Sequence, residues 1–201
     1  MTVSVNQIKE LREATGSGIL DCRQALQKAN GDYDKAVDLL RQKGLAKAAK
    51  RSNRDASEGK IELYSHGGGR IGVIVEVNCE TDFVARSEGF LAFVHEIALQ
   101  IAAVAPKWVK AEDVPEEVIE REKEIARKRY QEEGKPDHII ERILEGVAKK
   151  FKSENCLMEQ EYIRDDSLTI EKMLHEKIAS LGENIVIRRF ERWELGESID
   201  N

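Results

Sequence analysis

Apolar residues in the first part of the chain recur at helical spacing. Val5, Ile8 and Leu11 follow Ser4, which predicts a helix capped by the serine. Thr15-Gly16-Ser17-Gly18 interrupts it, because two glycines allow backbone angles that other residues avoid. Ile19, Cys22, Ala25, Leu26 and Ala29 mark a second helix that stops at Asn30-Gly31. Asp32 caps a third, with Tyr33, Ala36, Val37 and Leu40 turned inward and Lys43-Gly44 as the expected end. Helices of about ten residues bury little area, so this bundle should be only marginally stable alone. Residues 46–58, with Lys47, Lys50, Arg51 and Arg54, read as a basic linker, with a helical turn allowed at its start.

Beyond the linker the period changes to two. Ile61 and Leu63 alternate with Glu62 and Tyr64, His66-Gly67-Gly68-Gly69 makes a turn, and Ile71, Val73, Val75 and Val77 alternate again. A β-hairpin over 59–78 with one apolar face is expected. Phe90, Val94, Ile97, Ile101 and Val104 then predict an amphipathic helix over 87–105, ended by Pro106. Residues 114–152 are dominated by charge. Val118, Ile125 and Ala126 mark one helix there, and Ile139, Ile140, Ile143, Leu144, Val147 and Phe151 another; Gly134-Lys135-Pro136 separates them into a helical hairpin. A short helix over 170–181 precedes a final strand over 184–195. In that strand Ile185 and Ile187, then Phe190 and Trp193, imply a slip in the alternation of the kind a β-bulge produces. The expected fold class is α+β. A three-helix bundle (1–54, with its linker) precedes a core (55–201) in which the last strand joins the hairpin as a third antiparallel strand.

At 201 residues the chain can bury a sizeable core, and its 35% charged fraction against the usual ~25% predicts charged helical faces. No stretch approaches the ~18 consecutive apolar residues of a membrane helix, and MTVSVNQIKE lacks the apolar segment of a secretory signal. A cytoplasmic location without membrane contact is therefore expected. The three cysteines, Cys22, Cys79 and Cys156, lie far apart and make no disulfide framework. The net charge of −6 conceals an asymmetry: residues 1–54 carry 11 basic against 6 acidic residues, the remainder 21 against 32. A basic first module would suit nucleic acid or an acidic protein surface.

Candidate chemistry is sparse. The four histidines, His66, His95, His138 and His175, fall in different elements without metal-ligand spacing, and no CxxC occurs. Gly16-Ser17-Gly18 follows a helix and lacks the GK[ST] ending of a phosphate loop, while Gly67–Gly69 serves a hairpin turn. The basic linker has no interleaved aromatics for base stacking, so direct nucleic-acid binding is not expected. No nucleophile–base set or carboxylate pair assembles, so an enzyme is not expected, nor is a cofactor or bound metal. One segment resists a purely structural account. After the strand ending at Val77 comes Asn78-Cys79-Glu80-Thr81-Asp82-Phe83-Val84-Ala85-Arg86, where Thr81 or Asp82 can cap a helix. Capping does not explain an aromatic beside a carboxylate at an exposed corner.

Two long segments carry a resemblance. Leu11-Arg12-Glu13-Ala14-Thr15-Gly16-Ser17-Gly18-Ile19-Leu20-Asp21-Cys22 resembles the N-terminal signature of the translation elongation factor Ts family, and Val75–Ala85 resembles its second signature. Asn30-Gly31-Asp32, Gly134-Lys135-Pro136 and Leu181–Phe190 match further, in the expected order. The resemblance implies a guanine-nucleotide exchange factor that binds elongation factor Tu carrying GDP. It implies a ubiquitin-associated-like three-helix domain on the partner's nucleotide-binding domain, with contacts near Arg12, Ile19, Leu20 and Arg23. Thr81, Asp82, Phe83 and Val84 would displace the partner's magnesium ion, Asp82 and Phe83 inserting beside the nucleotide. The factor itself would need no metal or nucleotide. Longer members carry a second hairpin subdomain that is not found here, which would leave an apolar sheet face uncovered and implies a homodimer with two sheets packed together. The competing readings are a ubiquitin-associated-type binding module without exchange activity, and an RNA-binding protein acting through Lys47–Arg54.

Overall fold

The computed structural model describes residues 3–198. Helices α1 (Val5–Thr15), α2 (Ile19–Lys28) and α3 (Tyr33–Arg51) form the first module. Ser4 caps α1 through a capping box with Gln7, Gly16 ends it in the left-handed conformation (φ 64°), and Asp32 caps α3 by accepting from the Lys35 amide. Leu11, Cys22, Ala25, Leu26, Ala29, Ala36 and Leu40 make its small core. Val5, expected to face inward, is exposed on α1.

Helix α3 does not end at Lys43-Gly44; it continues to Arg51 and absorbs the first part of the expected linker, residues 46–51. The reason is packing. A Cβ at Gly44 would lie 3.3 Å from that of Ala179, so the glycine lets α3 approach α8 (Ile170–Leu181) closely instead of ending the helix. Four residues further on, Ala48 is buried among the residues of the sheet core. One helix therefore belongs to both cores.

Strands β1 (Glu58–His66), β2 (Ile71–Cys79) and β5 (Ile185–Glu194) form an antiparallel sheet in the order β1-β2-β5. The inner face, with Val73, Val75, Val77, Ile185 and Ile187, packs on α5 (Glu88–Val104) through Phe90, Phe93, Val94, Ile97 and Ile101, and on α8 through Ile170, Leu174 and Ile178. Val104, expected in the apolar stripe of α5, is exposed. The slip in β5 is a bulge at Arg188: Glu76 pairs with Arg189 but Val77 with Ile187. The bulge keeps both Ile187 and Phe190 on the inner face.

The hairpin has two apolar faces, not one. Pairing of Leu63 with Ile74 and of Gly72 with Trp193 puts Ile61, Leu63, Ile74 and Trp193 on the side opposite Val73 and Val75. Leu63 is 75% and Trp193 73% exposed. Alternation gives the parity within a strand; the four-residue turn 67–70 sets its phase against the next. Glu62 takes the inner edge, where it meets Lys60 Nζ at 3.0 Å and His95 Nδ1 at 3.1 Å.

Short helix α4 (Asp82–Ala85) joins β2 to α5. Helices α6 (Glu116–Glu132) and α7 (Asp137–Asn155) form the charged hairpin, seated on Val114, Ile119, Cys156 and Phe151. Cys156 is fully buried in that seat. A two-stranded ribbon, β3 (Glu161–Tyr162) with β4 (Asp165–Thr169), was not expected from the pattern. Among the described residues no helix is long and apolar enough to cross a membrane.

Candidate functional site

The corner after β2 is built by two successive caps. Thr81 Oγ1 accepts from the Val84 amide at 3.3 Å and starts α4; Ser87 Oγ accepts from the Phe90 amide at 3.3 Å and starts α5. Ser87 Oγ also donates to the Val84 carbonyl at 2.8 Å, which closes the corner on itself. Of the four residues expected to act here, Val84 points into the sheet core and Thr81 serves the cap, leaving Asp82 and Phe83 to project. Phe83 is 81% exposed although both sides of its short helix are anchored. Asp82 is held by the Arg86 guanidinium, whose Nε also donates to the Asp82 carbonyl at 3.2 Å. Beneath the corner, Cys79 Sγ lies 3.3 Å from the Thr81 carbonyl; burial, reinforced by the charge of Glu183, pushes its thiol up to about 11. It is therefore a protonated packing group at neutral pH.

The turn after α8 grips this corner from the far end of the chain. Glu183 Oε2 accepts from the amides of Glu80 at 3.1 Å and Thr81 at 3.0 Å, and its Oε1 accepts from Thr81 Oγ1 at 2.7 Å. In return Glu80 Oε1 accepts from the Asn184 amide at 2.6 Å. Asn184 is buried and donates to the carbonyls of Arg54 at 2.8 Å and Ser52 at 3.4 Å, just past the end of α3. The sequence reading missed Glu183, since its partners lie 102 and 103 positions away. The visible signal was a carboxylate immediately after the glycine that ends a helix, at Leu181-Gly182-Glu183-Asn184.

The other expected contact residues lie where α1 meets α2. Arg12 and Arg23 are exposed, and among the described residues neither guanidinium forms an ion pair. Ile19 and Leu20, on the first turn of α2, are 56% and 71% exposed. The preceding turn is ordered: Thr15 Oγ1 donates to the Leu11 carbonyl at 2.7 Å and accepts from the Ser17 amide at 3.3 Å. Asp21 ties α2 to α3 through Lys43 at 2.8 Å and Lys47 at 2.6 Å; the hydrogen bonds from Lys43, then Lys47, hold its carboxyl below the usual range. A Cβ at Gly16 would lie 3.6 Å from that of Ser180. The α1–α2 turn thus abuts the last turn of α8, and the turn following α8 binds the Thr81 corner. One short stretch of chain, Ser180–Asn184, therefore lies beside the α1–α2 turn and binds the Thr81 corner. Among the described residues no three His, Cys, Asp or Glu side chains gather as a metal site would require.

Comparisons with known proteins agree with one another over nearly the whole chain. A family profile described as Elongation factor TS matches residues 45–197, starting within α3 where the two cores meet. A protein named Elongation factor Ts from Caldanaerobacter subterraneus subsp. tengcongensis is 61% identical over 198 residues, covering 98% of this chain and 99% of the relative. Relatives of the same name from Coprothermobacter proteolyticus (56%, covering 98% of this chain and 100% of the relative) and Geobacter metallireducens (55%, 99% and 92%) include the helical module as well. Matches of this extent define the class: a translation elongation factor of protein biosynthesis. The chain belongs to the elongation factor Ts family.

Proposed function

We propose that this chain is the guanine-nucleotide exchange factor of elongation factor Tu. In this reading the α1–α3 bundle, ubiquitin-associated-like in its three helices, holds the partner's nucleotide-binding domain through Arg12, Ile19, Leu20 and Arg23. Asp82 and Phe83 then enter beside the nucleotide site, displace the magnesium ion and loosen GDP. Thr81 and Val84 set the angle of entry. No covalent step is carried by this chain, and the exchange takes place in the cytoplasm during elongation.

The observation that carries the reading is Phe83, an almost fully exposed phenyl ring on a corner fixed by the caps at Thr81 and Ser87 and by the buried Val84 and Ala85. A monomer gains nothing from such a ring, whereas burying it in a partner is worth about 2–3 kcal/mol. Accelerating release by ~10⁴ takes about 5.5 kcal/mol of preference for the empty partner, so the corner must act together with the helical module. Linkage then requires that nucleotide loosen the factor as much as the factor loosens nucleotide. The test is release of labelled GDP from elongation factor Tu. The parental chain is expected to accelerate it, and a folded Asp82→Ala/Phe83→Ala variant to lose that acceleration. Exchange at the parental rate by the variant would leave only a binding module.

The outer sheet face supports a second element of the proposal, a homodimer. Ile61, Leu63, Ile74 and Trp193 form an apolar patch on a face that no other element of the described chain covers. A second copy laid sheet to sheet would cover it symmetrically. Light scattering at micromolar concentration should give twice the 22.8 kDa chain mass, and Trp193→Glu should halve it. A parental mass of one chain contradicts the dimer.

A further inference from the structure

We propose that Glu183 is a positioning residue for exchange, acting through the Asp82–Phe83 corner; the proposal rests on the exchange reading above and names the device that makes the corner rigid. Three donors from two consecutive residues converge on one carboxylate: the amides of Glu80 and Thr81 and the hydroxyl of Thr81. These residues immediately precede the projecting pair. Bonds to an ionised acceptor are roughly twice as strong as neutral ones. Gly182, in the left-handed conformation at φ 82°, ends α8 and delivers Glu183 to this place. The reciprocal bond from the Asn184 amide to Glu80 makes the contact a two-way clasp.

Asn184 extends the clasp to the helical module. Its buried amide group holds the carbonyls of Ser52 and Arg54, while Arg54 Nη1 approaches Glu80 Oε2 at 3.4 Å. The two residues Glu183 and Asn184 therefore connect the corner to the end of α3, the helix that also carries the first module. Satisfying two loop amides is a sufficient structural role on a partly exposed loop, and water could do it. A fixed corner does more. A loop that must be ordered on binding loses part of its binding energy to that ordering, about 0.5–1.5 kcal/mol for each immobilised side chain. A corner already in place directs that energy into displacing the ion.

The experiment measures labelled GDP release from elongation factor Tu against factor concentration for the parental chain, Glu183→Ala, Glu183→Gln, Phe83→Ala and Glu183→Ala/Phe83→Ala. Glu183→Ala should lower the maximal rate about tenfold and leave the half-saturating concentration within about twofold. Glu183→Gln, which retains an acceptor of the same shape, should recover part of that loss. In the Phe83→Ala background the Glu183→Ala effect should shrink, because part of it acts through the ring. A parental maximal rate for Glu183→Ala, or a loss that adds in full to that of Phe83→Ala, overturns the proposal. Amide hydrogen exchange at Glu80 and Thr81 provides a readout without the partner. Faster exchange in Glu183→Ala supports the clasp; unchanged exchange in that variant overturns it. If the parental chain itself fails to accelerate GDP release, the exchange reading falls, and the amide measurement still decides whether Glu183 holds the corner.

Discussion

The two regions with exposed apolar side chains, which the proposal above assigns to a partner, are built on opposite terms. Ile19 and Leu20 stand on a bundle whose core is seven small or medium side chains, held together by surface ion pairs from Asp21 to Lys43 and Lys47 and set against α8 by close helix contact. Phe83 stands on a corner that grows out of the main core, with Val84 and Ala85 beneath it and a carboxylate binding the backbone ahead of it. A lightly packed module can adapt to a surface, and in the proposed exchange it would contribute affinity. A rigid corner cannot adapt, and in the proposed exchange it would contribute displacement. On the exchange reading proposed above, the difference would assign holding the partner and emptying it to elements of different stiffness, joined through α3 and the turn at Glu183-Asn184.

That contrast can be broken from either side. The largest effect is expected from Leu26→Ala, which removes a fully buried side chain from the bundle. A cost of about 2–5 kcal/mol exceeds what so small a core can absorb. Residues of α1 and α2 should lose amide protection while the sheet keeps it; uniform loss across both would mean that the cores are not separable. Phe83→Ala comes next. Losing about 2–3 kcal/mol of partner contact should slow maximal exchange about 30- to 160-fold, with an unchanged melting temperature, since the ring is bound to nothing in the free chain. Leu20→Ala should act in the other direction, raising the half-saturating concentration about five- to tenfold with the maximal rate intact. A fall in maximal rate instead would place Leu20 in the displacing step.

The smallest effect concerns Asp21. Its carboxyl lies below the ordinary value of 3.8 in the folded chain because Lys43 and Lys47 donate to it. A depressed folded value contributes stability that is present above the unfolded pKa and lost as pH falls through the folded one. Asp21→Asn should therefore cost no more than about 1 kcal/mol at neutral pH, with the gap to the parental chain closing below pH ~4. Melting curves from pH 7 down to 3 read this directly.

Much of the fold was legible because periodicity reports local structure. The caps at Ser4 and Asp32, the break at Gly16 and the bulge in β5 all left local marks. What escaped depends on neighbours distant in sequence. Gly44 read as a helix end because a glycine that stops a helix and one that admits another helix are the same letter; only Ala179 distinguishes them. The phase of β1 escaped because parity does not cross a turn. The ribbon β3–β4 escaped because its strands are short and largely polar, Asp165-Asp166-Ser167 among them. At the corner, the segment itself drew notice, but the division of labour within it did not: Val84 buried, Phe83 exposed and Glu183 behind both.

The most direct test compares the affinity of this chain for elongation factor Tu emptied of nucleotide with its affinity for Tu loaded with GDP, by titration calorimetry under matched salt. A stiff corner that occupies the ion's place should favour the empty form by about 10⁴, or about 5.5 kcal/mol. Equal affinities would mean that the corner and the ion do not compete, and would contradict the account.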